Sequence, residues 1–423
     1  MKTGIVSKNG NYVNILKWER MIAGERKISM QDKWVTALLV IIGCVLLTGC
    51  KGQETQAEEG VPSAAVPAAT VSEAAIDLQQ EETDEEELEE IEAYRARFDG
   101  IGRVEEIGEN GYRILEEQTF PVIMESFGQE ECTFLAAMEK QYHRLAIFLA
   151  DSEGNILFKT NQLETNNRVP GQLEQPTRSV AAVKFADLNR DGLTDIVLIT
   201  GCVNGSGEYA GKDYKVGDVL FQGERTFYRD WRISDKINRF DMNKSVNCII
   251  SYVRDGQSTE FLYTSKTLDE LLENGFSIIE EQHYTRRFEK LGKIQVVPGT
   301  YHMSEYDIFM IYLVDEQGNI VWCFQPMGSY DNLYSLRGIV GKDVDGDGMK
   351  DLIVLARYSY EGKDGELLIE TACSIYYQRT GGFDIDTGFT ESYQCTQEDT
   401  MEDLIPKIRA YWGWQVEEEE ESD

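Results

Sequence analysis

The segment VEEIGENGYRILEEQTF (104–120) returns 164 positions later as LDELLENGFSIIEEQHY (268–284), with eight of seventeen positions identical. Composition alone gives roughly one such identity. IFLADSEGNILF (147–158) returns at the same offset as IYLVDEQGNIVW (311–322). FADLNRDGLTDIVLIT (185–200) then matches GKDVDGDGMKDLIVLA (341–356), and DVLFQGERTF (218–227) matches SIYYQRTGGF (374–383), now at an offset of 156. One eight-residue length change between Asn155 and Asp187 separates the offsets, inside KTNQLETNNRVPGQLEQPTRS, a loop by composition. Such a chain must form a unit that can be made twice and packed against itself, so the copies are expected over 96–265 and 266–416. DTMEDLI (399–405) also resembles KTLDELL (266–272), as short amphipathic helices often do.

Within a copy the pattern mostly alternates and is rich in β-branched and aromatic residues. RLAIFLAD and NILFKT flank the turn SEGN as a hairpin, and DIFMIYLVD and NIVWCFQ flank EQGN in the same way. SVAAVKFAD, DIVLIT, DVLFQG and TFYRDW read as four further short strands. Four strands make a group of the size of one propeller blade. The expected fold is mainly β and internally duplicated, with β-propeller-like blades of short antiparallel strands. Four blades are expected, plus a two-strand piece formed by NCIISYVR and EFLYTS within 247–264. Two β-sandwich-like domains are the alternative.

Each copy carries an acidic loop just before an apolar strand. In KDVDGDGMKDLIVL (342–355), Asp343, Asp345, Asp347, Gly348 and Asp351 fall at loop positions 1, 3, 5, 6 and 9. Asp187, Asn189, Asp191, Gly192 and Asp195 take those positions in the first copy. Alternate positions let successive oxygens converge on one point. Glycine at position 6 permits a sharp turn, and Leu193 or Met349 at position 7 offers its backbone carbonyl. Carboxylates that close oppose one another's ionisation unless a hard cation neutralises them. Oxygen-only donors in a flexible loop favour Ca2+ in a structural role over Mg2+ or Zn2+. The alternative is a polar Asp/Asn-Gly turn without metal.

An EF-hand would require a bidentate Glu at position 12 and a helix after it. Here position 12 is Leu198 or Val354, inside a β-branched run, so each loop joins two strands. DxDxDGxxD between two strands resembles the FG-GAP or VCBS repeat of integrin-like β-propellers, with Asn189 the one substitution. The resemblance covers only these two loop-and-strand units and implies blades stabilised by calcium.

Upstream, Arg26, Lys27 and Lys33 accompany an apolar run from Trp34 to Thr48. The run is short for a transmembrane helix, which needs about 20 apolar residues, and suits a signal-peptide core. Its end, Leu47-Thr48-Gly49-Cys50, resembles the bacterial lipobox. That resemblance implies that Cys50 carries diacylglycerol, becomes the N-terminus after cleavage, and tethers the protein to the extracytoplasmic face of the bacterial cell membrane. Two acyl chains anchor stably where one is marginal. Residues 1–33 are then an N-terminal extension and signal n-region, with Met21 or Met30 as alternative starts, and 34–49 the apolar core. Residues 50–95, rich in Ala, Pro, Glu and Gln, are expected as an acidic disordered tether, and 417–423 as an acidic tail. With 75 acidic against 41 basic residues the net charge is −34, which repels nucleic acid; none is expected as a partner.

A second loop match pairs EYAGKDY (208–214) with SYEGKDG (359–365). Tyr209 with Lys212 and Asp213, and Tyr360 with Lys363 and Asp364, are candidate contacts for a protein or glycan, expected near the metal loops. A turn held by Lys and Asp is the plain alternative. No GxSxG elbow, P-loop, HExxH or CxxC pair occurs, and His143, His283 and His302 are scattered. The competing reading is an extracellular polysaccharide hydrolase. Its candidate carboxylates are Glu116-Glu117 and Glu280-Glu281, where strand alternation would turn one Glu of each pair inward. A duplicated scaffold with duplicated loops points instead to a non-enzymatic binding or adhesion module. Cys132, Cys202, Cys248, Cys323, Cys373 and Cys395 show no framework spacing and read as small buried thiols.

Overall fold

The computed structural model describes residues 88–128, 131–169, 172–176, 178–204, 211–328, 331–361 and 366–414. The signal segment, Cys50, most of the tether and the acidic tail lie outside the described residues. From residue 96 onward the described residues belong to one compact unit. Residues 88–99 are helical, which corrects the expectation of disorder through residue 95. Leu88, Ile91, Tyr94 and Phe98 recur every three to four positions, the apolar stripe of an amphipathic helix.

The first copy opens with α1 (Val104–Glu109). β1 (Tyr112–Ile123), β2 (Glu131–Glu139), β3 (Leu145–Ala150) and β4 (Ile156–Thr160) then form one antiparallel meander. β5 (Arg178–Ala186), β6 (Asp195–Val203), β7 (Asp213–Gln222) and β8 (Phe227–Tyr228) form a second. Helices α2 (Trp231–Arg239), α3 (Val246–Asp255) and α4 (Glu260–Thr264) follow. The second copy begins with α5 (Leu268–Glu273). Its first sheet holds β9 (Ser277–Ile278), β10 (Tyr284–Phe288), β11 (Gly292–Met303), β12 (Tyr306–Val314) and β13 (Ile320–Phe324). Its second holds β14 (Asn332–Lys342), β15 (Asp351–Glu361), β16 (Leu367–Arg379) and β17 (Gly382–Ile385), followed by α6 (Gly388–Ser392) and α7 (Met401–Tyr411). The fold is mainly β, with four antiparallel sheets, as the sequence leads one to expect.

The two-strand piece expected at 247–264 is instead α3 and α4. Its aromatic and β-branched content suggests strands, but Val246, Ile249, Ile250 and Val253 fall at helical spacing. Ser245 caps α3 by accepting from the Cys248 N–H at 3.1 Å, and Gly256, at φ 75°, ends it in the left-handed region.

Packing explains the long apolar strands. Ile196 and Leu198 of β6 join Phe134, Leu145 and Ile147 of the first sheet. Val197 and Ile199, on the other face, join Ile237 of α2 and Ile249 of α3. That helical layer also takes Val297, Ile308, Met310 and Tyr312 from the third sheet. Leu352 and Val354 of β15 meet Phe309, Ile311 and Leu313 of the third sheet, while Ile353 and Leu355 meet Leu404, Ile405 and Ile408 of α7. A strand covered on both faces is apolar throughout instead of alternating. Each fully buried aliphatic side chain contributes about 1.5–3 kcal/mol. The result is two face-to-face sheet pairs, consistent with blade-like and sandwich-like packing alike.

The duplication holds at the level of single bonds. The Val104 N–H donates to Gly154 O, and the Leu268 N–H to Gly318 O, each at 3.0 Å. Asp151 accepts the N–H groups of Glu153 and Asn155 at 2.9 and 2.8 Å, and Asp315 accepts those of Gln317 and Asn319 at the same distances. By position, α7 answers to α3 and not to α5, so DTMEDLI and KTLDELL share an amphipathic pattern and a threonine N-cap without being equivalent elements.

Candidate metal centre

Both acidic loops are hairpin connections, from β5 to β6 and from β14 to β15. Their registers close at Ala186↔Asp195 and Lys342↔Asp351. Position 9 is therefore the first residue of an interior strand, and both aspartates are 0% exposed. Buried carboxylates need N–H donors, and these two have equivalent ones. Asp195 accepts from the Leu188 and Gln222 N–H groups at 2.8 Å each. Asp351 accepts from Val344 at 3.0 Å and Gln378 at 2.9 Å. At position 1, Asp187 accepts from Asp191 and Gly192, and Asp343 from Gly346 and Gly348. Gly192 and Gly348 lie at φ 85° and 83°, the left-handed conformation that position 6 requires. At position 7, Leu193 and Met349 donate their N–H groups to Asp191 and Asp347 at 2.8 Å each.

In the second loop, one oxygen from each of Asp343, Asp345 and Asp351 lies within 4.8 Å of the others. Ca2+ ligands sit at 2.3–2.6 Å, so two oxygens on one ion are at most about 5 Å apart. The trio fits that limit, and its all-oxygen donor set suits a hard cation. Burial, aided by the charges of Asp345 and Asp347, pushes Asp351 up to about 7. Burial also raises Asp195, against the N–H groups it accepts.

The loops differ around this shared frame. Arg379 Nη1 lies 2.9 Å from both Asp345 Oδ2 and Asp347 Oδ2, so the protein's own guanidinium bridges positions 3 and 5; Asp347 stands outside the converging trio. The counterpart of Arg379 in the first copy is Gly223. In the first loop, Asn189 Nδ2 donates to Asp191 Oδ2 at 2.9 Å. No acidic trio comes together there among the described residues. Arg190, at φ 63°, stands where the second loop has Gly346, at φ 84°. It reaches the end of α3, donating to Arg254 O at 3.3 Å and pairing with Asp255 at 3.4 Å. In the second copy the bond runs the other way: Arg409 of α7 donates from Nε and Nη2 to Asp343 O at 3.2 and 3.0 Å.

Four residues behind the loops are absent from the sequence reading. Glu125 accepts from the Thr194 N–H at 2.8 Å, Thr194 Oγ1 at 2.9 Å and Gln222 Nε2 at 3.3 Å. Glu289 accepts from the Lys350 N–H at 2.8 Å, from Lys350 Nζ, and from Gln378 Nε2 at 3.3 Å. Each glutamate pins the residue before the buried aspartate. Burial works against both charges, yet the bonds from Lys350 hold Glu289 at about 2, and those from Thr194 hold Glu125 below the usual carboxylate range. The signal was available: Glu125 and Glu289 match at offset 164, and Gln222 and Gln378 at 156.

The second candidate patch is not near the metal loops. Tyr360 lies nine residues along β15 from Asp351, or about 30 Å at strand rise. The two loops flank opposite ends of one strand, which corrects the expectation. Lys212 and Asp213 lie at the corresponding far end, where Asp213 pairs with Val203. Tyr209, Lys363 and Asp364 lie outside the described residues. The glutamate pairs do not turn inward either. Glu116-Glu117 sit in a register shift of β1, where alternation breaks, and Glu280-Glu281 sit on a 3-10 turn; all four are exposed.

No family model matches the chain, and no curated protein matches it. Among solved structures it is similar to an exo-inulinase from Aspergillus awamori, at 13% identity and a TM-score of 0.20, covering 64% of this chain and 47% of that one. It is also similar to the exotype rhamnogalacturonan lyase YesX, at 13% identity and a TM-score of 0.18, covering 64% and 48%. The chain spans about half the length of each. Likenesses this slight bear on neither fold nor function.

Proposed function

We propose that this chain is an extracytoplasmic, membrane-anchored lipoprotein whose duplicated β scaffold is stabilised by Ca2+ at its two acidic hairpins. We read it as a binding or adhesion module for a protein or glycan. The observation that supports this is the convergence of Asp343, Asp345 and Asp351 at a hairpin that recurs in the first copy with the same backbone bonds to its buried aspartate. In this reading the loops pin strand junctions. Cys50 supplies the anchor, and the acidic surface argues against nucleic acid.

A thermal melt of the full chain, with and without chelator, tests the metal. Sites of this kind bind at about 10⁻⁴–10⁻³ M. At 10 mM Ca2+ a site of 10⁻⁴ M adds about 2.7 kcal/mol. A melting temperature unchanged by EDTA would reduce the loops to ordinary turns. Metabolic labelling with palmitate, present in the wild type and lost in Cys50→Ala, tests the anchor. A glycan array probed with the full chain in calcium buffer tests the binding role; specific retention that vanishes in EDTA is expected, and retention indifferent to calcium would detach binding from the loops.

A further inference from the structure

Of the six cysteines at or beyond residue 132, two are neighbours. Cys373 of β16 and Cys395, in the segment between α6 and α7, lie in one core cluster with Leu404, Ile405 and Ile408 of α7, and each thiol is the other's principal interacting group. Both are thiols in this structure. Neither position has a cysteine counterpart in the first copy, where Gly217 and Arg239 stand. Gly217 packs its backbone directly against Ile249 and Asn243. The pair is an addition to the second copy and plays no part in the metal centre.

We propose that Cys373 and Cys395 form a reversible disulfide that staples β16 to the C-terminal helical cap. Both side chains are buried in the same core cluster, so closure asks for a local approach of two neighbouring thiols to the S–S distance of about 2.05 Å. The two thiols are not equivalent. Cys395 is the more exposed, at 9% against 2%. The interaction between the two lowers the pKa of Cys395 and, with burial, raises that of Cys373. Access makes Cys395, the more exposed of the two, the attacking sulfur. With a low-molecular-mass disulfide such as oxidised glutathione as oxidant, the Cys395 thiolate attacks one oxidant sulfur and releases the other as a thiolate. Cys373, losing its proton, then attacks Cys395 Sγ and releases the second glutathione thiolate. Two protein thiols become one disulfide, and the two electrons reside on two glutathione molecules. The staple closes a loop from 373 to 395 and fixes the cap whose α7 carries Arg409, the donor to Asp343 O. Extracytoplasmic conditions maintain such bonds.

The test uses the full chain equilibrated in a defined glutathione buffer, alkylated, digested without reduction and mapped by mass spectrometry. A cross-linked peptide joining Cys373 to Cys395 is expected. A melting temperature about 5 °C higher than in phosphine reductant is also expected, with the difference absent in C373S/C395S. Recovery of both residues as alkylated thiols, or of either joined to another cysteine, would overturn the proposal. Because the buffer sets the redox potential, the result stands or falls apart from lipidation at Cys50.

Discussion

The two acidic hairpins share a backbone and differ in charge. Both bury an aspartate at the strand start under two N–H groups, and both are pinned from behind by a glutamate and a glutamine. The second loop has four carboxylates and a guanidinium lying between two of them; the first has three carboxylates, an amide and no such guanidinium. Both hairpins thus bury a position-9 aspartate under the same N–H groups, while the outer positions set how much uncompensated charge a cation would meet there.

The sharpest way to break this comparison is at position 9. Asp195→Ala and Asp351→Ala each leave two buried N–H groups without an acceptor and are expected to cost about 2–4 kcal/mol in chelator, and more in calcium, where a ligand is lost as well. Urea midpoints measure this; costs differing by much more than about 1 kcal/mol would mean that the hairpins are not equivalent.

Next come the glutamates. Glu289→Gln weakens a charge-assisted bond to Lys350, whereas Glu125→Gln weakens bonds to a neutral threonine. The first is expected to cost about 1–2 kcal/mol after allowance for solvent screening, and the second less. A carboxylate with a lowered folded pKa stabilises above its unfolded value and loses that contribution as pH falls. The Glu289 effect should therefore be complete above pH 4.5 and fade towards pH 2. An effect of Glu289→Gln that persists undiminished at pH 2 would show that the bond is not electrostatic.

The outer positions sharpen the contrast in affinity. Arg379→Ala removes the guanidinium that competes for Asp345 and Asp347, and should tighten calcium at the second loop by about tenfold. Asn189→Asp should tighten the first loop several-fold, having no guanidinium to displace. Calcium titrations that leave both affinities unchanged would remove these positions from the site. The smallest effect is expected of Arg190→Gly. Relief of a left-handed non-glycine residue stabilises by about 1 kcal/mol, partly offset by loss of the Asp255 contact, so a net gain below 1 kcal/mol should appear in the urea midpoint.

Much of this was legible in the chain because duplication turns one weak pattern into two that check each other. The acidic hairpins, the SEGN and EQGN turns and the mainly β fold were all readable. Where the reading failed, one physical signal outvoted another. At 247–264, β propensity masked the helical spacing of Val246, Ile249, Ile250 and Val253. Tyr360 shares a strand with Asp351, but a sequence match cannot show which end of a strand a loop joins until the strand's length is known. Glu125 and Glu289 carry no motif; their role follows from the sheet before each acidic loop packing against it. Arg379 approaches the second loop from β16, a contact no spacing rule encodes.

Calorimetric titration of the full chain with calcium tests the central claim most directly. Two sites with dissociation constants near 10⁻⁴–10⁻³ M are expected, one abolished by Asp343→Asn with Asp345→Asn and the other by Asp187→Asn with Asp191→Asn. A titration without binding heat to 10 mM, or one whose heat survives all four substitutions, would contradict it.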